Sequence, residues 1–197
     1  MLSCSLLFSD PFFLLNTLHY SLIFRFVKQF FKKYHVFSLK IVKIYFLTQK
    51  TRIFIIEEKA QNQKASYNED SFAMLNDVLD WCETYQVYAV VDFHAATAGQ
   101  SGIPCDDGVD NGQHLYDDEE SMERMFLLME EFMRRYKDRW IIGAYDCINE
   151  PISMTPRREE LTPKLVYFYE EMIRRCRKID QKHLFLLNGT QFSSLTY

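Results

Sequence analysis

From Tyr67 onward the chain alternates between two kinds of apolar spacing. Phe72, Leu75, Val78, Leu79, Cys82 and Tyr85 recur at intervals of three and four, which predicts one buried face of a helix, with Asn68 or Asp70 as its cap. VYAVVDFH, residues 87–94, then reads as a short apolar strand. A loop with four glycines, 95–116, leads to a helix over 119–137 that places Met122, Met125, Phe126, Met129, Phe132, Met133 and Tyr136 on one face. IIGAYDCIN, 141–149, predicts a second strand. Thr162–Pro163 reads as the cap and first residue of a third helix running to about Lys178. HLFLLNG, 183–189, predicts a third strand. Apolar strands alternating with amphipathic helices imply an α/β fold with parallel pairing, right-handed crossovers and a sheet covered on both faces. No GxGxxG follows any strand, so a dinucleotide-binding fold has no support.

Residues 1–60 have another character. Ten of the seventeen phenylalanines and no glycine fall there, with nine basic and three acidic residues, against fourteen and twenty-four in the remainder. FVKQFFKKYHVF and LKIVKIYFL alternate enough to allow strands, but Gly, Pro or Asn-Gly turn chemistry between them is missing. Three readings stand side by side: a basic amphipathic segment at a membrane surface, an apolar segment packed under the rest, or translated AT-rich noncoding sequence. The domain expectation is therefore an unassigned segment, 1–60, followed by a globular part, 61–197.

The net charge of −4 gives no sign of a nucleic-acid partner. No apolar run reaches the roughly 18 residues of a membrane helix, and the apolar start lacks a basic region and is broken at Asp10–Pro11, a poor signal peptide. The five cysteines form no CxxC and are odd in number, so they read as small core residues rather than disulfides or a zinc site. CDDGVDNG, 105–112, is dense in oxygen ligands but lacks the EF-hand spacing. It reads as a solvated, turn-rich loop, a mobile wall rather than a metal cage. No cofactor motif is present, and Asn188–Gly189–Thr190 is a formal glycosylation sequon.

Polar residues collect where the strands end: Asp92 and His94, then Asn149 and Glu150, then Asn188. Parallel α/β folds bring such ends to one face, where barrel enzymes carry their sites. A period of two sets Asp92 and His94 on one side of their strand, and Asp146, Ile148 and Glu150 on one side of theirs. Glu150 suits a general acid/base, and Asn149 a hydrogen-bond donor to substrate. On the Asn-Glu-Pro run alone, a surface turn punctuated by Pro151 is the favoured reading. Asp92 reads as a buried structural carboxylate.

The stretches VVDFHAATAGQSG, ERMFLLMEEFMRRYKDRWIIGAYDCINEP and HLFLLNG together resemble glycoside hydrolase family 5, the cellulase family of (β/α)8 retaining β-glycosidases, over about residues 67–197. The resemblance implies a partial (β/α)8 TIM barrel, about strands 3 to 5, behind an atypical N-terminal segment. It implies Glu150 as the acid/base, Asn149 on the sugar 2-hydroxyl and His94 lining the subsite where the bond breaks. It implies a β-glucan or other β-glycan substrate, and secretion. In the family the nucleophile glutamate ends the seventh strand, beyond Tyr197, so the expectation is an inactive fragment with exposed sheet edges prone to aggregation. The competing reading is a non-catalytic carbohydrate-binding or interaction remnant of the fold.

Overall fold

The computed structural model describes residues 41–47, 57–58, 66–103, 106 and 109–193, all within one compact unit, Lys40–Tyr197. Most of the 1–60 segment lies outside the described residues. Within it, Ile41–Leu47 (β1) forms the first strand of the main sheet, and Glu57–Glu58 (β2) pairs antiparallel with Ser66–Tyr67 (β3).

Helix α1, Glu69–Tyr85, opens on Asn68, whose side chain accepts from the Ser71 N–H at 3.1 Å. That bond satisfies one of the donors a helix start leaves unpaired. Gln86 in the left-handed region closes the helix and turns the chain into β4, Tyr88–Ala95. Helix α2, Glu119–Tyr136, is capped by Asp118, which accepts from the N–H groups of Glu120 and Ser121. Strand β5, Ile142–Asp146, follows, then α3, Arg158–Cys176, β6, Leu184–Leu186, and the short α4, Thr190–Ser193. Helix α3 begins a turn before Thr162–Pro163. Pro163 lies inside it and has no N–H for the Glu159 carbonyl, while the Thr162 hydroxyl donates back to the Arg158 carbonyl at 2.7 Å.

The main sheet is parallel throughout, in the order β1-β4-β5-β6. Each neighbouring pair in that order beyond β1 is joined through one helix, the βα repeat of a barrel wall. One face of β4 meets the helices: Phe93 packs edge-on to Phe132 of α2 with ring centroids 4.9 Å apart, and Phe132 in turn meets Phe72 of α1 at 5.3 Å. Helix α3 joins this layer by stacking Phe168 on Phe126, also at 5.3 Å. Leu75, Leu79, Met125, Met129, Met133, Leu165 and Met172 are fully buried there, along with Cys82 and Cys176. Burial raises the thiol pKa of Cys82 to about 11 and of Cys176 to about 12, so both are inert packing groups. Asp92 and His94 occupy the opposite face of β4, joined at 3.1 Å.

Candidate active site

The C-terminal ends of β4, β5 and β6 converge as parallel pairing requires. At the end of β4, Asp92 is fully buried and His94 is half-buried, its Nδ1 donating to the Asp92 carboxylate. That bond fixes the plane of the ring. At the end of β5, Asp146 is buried and accepts from the Asn188 carboxamide beyond β6. Tyr169 of α3 in turn donates its hydroxyl to the Asn188 carbonyl at 2.9 Å. Asn188, the sequon residue, is thus held by both its side chain and its backbone.

Strand alternation stops at Asp146. The Cys147 N–H then donates to the Leu186 carbonyl at 3.1 Å, and the Asn149 N–H donates to the Phe93 carbonyl at 3.2 Å. Ile148 is fully buried, and Glu150 adopts a left-handed backbone with φ 47°. The period of two therefore does not carry through to Glu150, whose direction is set by a turn instead. Its carboxylate is partly exposed and makes no ion pair or hydrogen bond among the described residues. The Glu150 carbonyl accepts from the Ser153 hydroxyl at 2.7 Å. Ile152, also left-handed at φ 51°, is fully buried. Asn149 is buried beside them, and no described contact joins its side chain to those of His94 or Glu150.

Within 105–112, Asp110 and Asn111 are exposed, as a solvated loop requires, but Asp106 is buried, and so are Gln100, Ser101 and Gln113 on either side. One oxygen of Asp106 accepts from the Gln100 N–H at 3.1 Å, the Ser101 N–H at 2.7 Å and the Ser101 hydroxyl at 2.5 Å. Gly102, at φ 87°, lies against the loop after β5. A Cβ there would sit 1.9 Å from the Gln113 amide nitrogen and 2.3 Å from the Met154 carbonyl. Asp106 is thus used internally, whereas Asp110 is exposed and meets His114 at 3.0 Å. Among the described residues no group of three His, Cys, Asp or Glu side chains could hold a metal ion.

Parallel βα units in sequential order, with polar groups gathered at the strand C-termini, form a partial α/β fold of the kind that builds a (β/α)8-barrel wall. The chain belongs to glycosyl hydrolase family 5: the family description Cellulase (glycosyl hydrolase family 5) matches residues 20–196. A β-xylosidase of Phanerodontia chrysosporium is 29% identical over 128 residues, 64% of this chain and 25% of that protein. Endoglucanase Cel5A of Pseudomonas stutzeri superposes with a TM-score of 0.62 at 18% identity, covering 85% of this chain and 44% of its own. Endoglucanase Cel5A of Thermotoga maritima gives 0.59 at 18% identity, covering 84% and 45%. These solved structures share the fold, and this chain spans less than half the length of each relative. No helix among the described residues is long and apolar enough to cross a membrane.

Proposed function

We propose that this chain carries the acid/base part of a retaining β-glycosidase acting on β-glucans or related β-glycans. The observation behind this reading is the state of Glu150. A non-glycine residue in the left-handed region costs about 1–3 kcal/mol. That cost is borne at the one strand-end carboxylate left without a partner among the described residues, while Asp92 and Asp146 are buried and engaged. The family membership and the endoglucanase and β-xylosidase relatives point the same way.

In this mechanism Glu150 protonates the glycosidic oxygen as the leaving group departs. It then deprotonates the water that releases the sugar from the enzyme. Asn149 donates to the 2-hydroxyl of the bound sugar and His94 lines the subsite at the scissile bond. Retention needs a second carboxylate about 5 Å away as nucleophile. Neither Asp92 nor Asp146 is available for that role, so it falls to another part of the completed barrel.

The test compares leaving groups. In the protein completed to eight strands, Glu150→Gln lowers turnover of a cello-oligosaccharide by roughly 10²–10⁴-fold. The loss is smaller for an aryl glycoside that departs without protonation, and azide restores part of the second step because it needs no general base. Unchanged turnover of the oligosaccharide removes Glu150 from the mechanism. The 197-residue chain alone gives no turnover. Hydrolysis by it would overturn the assignment of the nucleophile elsewhere, and saturable oligosaccharide binding by a completed barrel without turnover would favour a non-catalytic carbohydrate-binding role.

A further inference from the structure

The Gln100 side chain lies between the two strand ends that carry the site. Its Nε2 donates to the His94 carbonyl at 2.8 Å and to the Asn149 carbonyl at 3.0 Å, and its Oε1 accepts from the Ala96 N–H at 3.0 Å. The side chain is buried, so each of these bonds is made away from water. We propose that Gln100 is a positioning residue that fixes the backbone of Glu150, and with it the direction of the acid/base carboxylate. The proposal rests on the acid/base reading of Glu150.

The chemistry of the position calls for a primary amide. Two carbonyl oxygens from different strands face it, and one N–H group of the backbone faces it from the third side. Only an amide presents two donors and an acceptor in one plane. A carboxylate of the same shape would set an oxygen against two carbonyl oxygens. A thioether of similar length would leave both carbonyls unpaired.

The effect on Glu150 follows from the geometry of the chain. The φ and ψ of a residue are set by the two peptide planes that flank it. The plane before Glu150 is held at the Asn149 carbonyl by Gln100, and the plane after it at the Glu150 carbonyl by Ser153. With both planes held, the left-handed conformation is imposed from outside the residue.

Gln100 is itself well anchored. Its N–H donates to Asp106, and its carbonyl accepts from the Ile152 N–H at 2.8 Å and the Tyr116 hydroxyl at 3.3 Å. The next residue extends the link, since the Ser101 carbonyl accepts from the N–H groups of Ser153 at 2.9 Å and Met154 at 3.0 Å. The loop after β4 and the loop after β5 are therefore laced together through Gln100–Ser101, and the described part of the glycine-rich loop acts as a bracket.

Two measurements test this. The first is amide hydrogen exchange on the 197-residue chain carrying Gln100→Glu. Protection at Asn149 and at 152–154 should fall about tenfold or more, while amides in the middle of α2 keep theirs. Unchanged protection at 149–154, or an equal loss everywhere, overturns the proposal. If the variant does not fold, Gln100→Met and Ser153→Ala carry the same measurement, and the same two outcomes decide it. The second is kinetic, in the completed barrel. Gln100→Glu should lower kcat by about tenfold or more with KM within about threefold, and the double variant with Glu150→Gln should lose little beyond Glu150→Gln alone. Full additivity of the two losses overturns the proposal. An exchange result as expected together with a kinetically silent Glu150→Gln leaves the bracket standing and removes the acid/base reading.

Discussion

Buried acceptors in this protein are shared among several donors, and Asp180 shows how much can rest on one of them. It is almost fully buried and accepts from the Lys182 N–H at 2.9 Å, the His183 N–H at 3.2 Å and the His183 ring Nδ1 at 2.5 Å. The other ring nitrogen of His183 faces the Arg139 carbonyl at 3.1 Å, which ties the start of β6 to the turn before β5. Burial pushes the Asp180 carboxyl up, but the bonds from His183 and the two N–H groups outweigh it and hold the group below its usual range. Asp180→Ala would leave a ring nitrogen and two backbone donors without their acceptor. We expect a loss of about 3 kcal/mol in urea unfolding, at the upper end for one removed partner in a buried network. A loss under about 1 kcal/mol would mean that water replaces the carboxylate there. At this scale the sequence shows residues that belong to motifs. Glu150, Asn149 and His94 stand out because they end apolar strands. Gln100 does not, since its partners are backbone carbonyls, one of them forty-nine residues away. The available signal was the spacing of Gly99 and Gly102 around it, both with positive φ.

At the scale of elements, apolar faces located the first two long helices because those faces are nearly continuous, and the third was placed by its Thr-Pro start signal. Local chemistry was less decisive. Thr162–Pro163 looks like a helix start, yet the helix begins earlier, because Leu161 and Leu165 already face the core and packing outweighs one lost backbone bond. Alternation failed after Asp146 for a related reason: bonds to two neighbouring strands, not one strand's own pleat, direct residues 147–149. The polar faces carry a testable charge pattern. Glu171 lies three and four residues before Arg174 and Arg175, and hydrogen bonds from both hold its carboxyl at about 2, against an ordinary 4.5. Arg175 continues to Glu123 of α2 and covers the Phe126 ring at 4.7 Å. A depressed carboxyl contributes stability that is fully present above the unfolded value and lost as pH falls through the folded one. The difference in urea midpoint between the parent and Glu171→Gln should therefore be constant above about pH 5 and shrink between pH 4.5 and about 2. A difference that stays constant to pH 2 would show that the arginines hold Glu171 by packing alone.

At the largest scale, the described part of unit Lys40–Tyr197 reads as a stretch of barrel wall; the α/β alternation made the covered parallel sheet legible, and the family resemblance pointed to a barrel. In the sheet order β6 stands last, and Leu184, Leu186 and Leu187 are 64%, 42% and 43% exposed. Parallel strands are normally covered on both faces and flanked by neighbours, so exposed leucines on the last of the described strands invite another strand. The consequence is self-association of the 197-residue chain that grows with concentration. Charge placed on the edge should oppose it, because a lysine approaching a second edge must be desolvated or repelled. Leu184 is the position to change, being the most exposed of the three and so contributing least to the core. Leu184→Lys should alter unfolding free energy by no more than about 0.5 kcal/mol. It should also raise the concentration at which light scattering reports assemblies. Equal scattering from parent and variant, at equal stability, would show that association does not run through β6 and would turn attention to the opposite edge at β1.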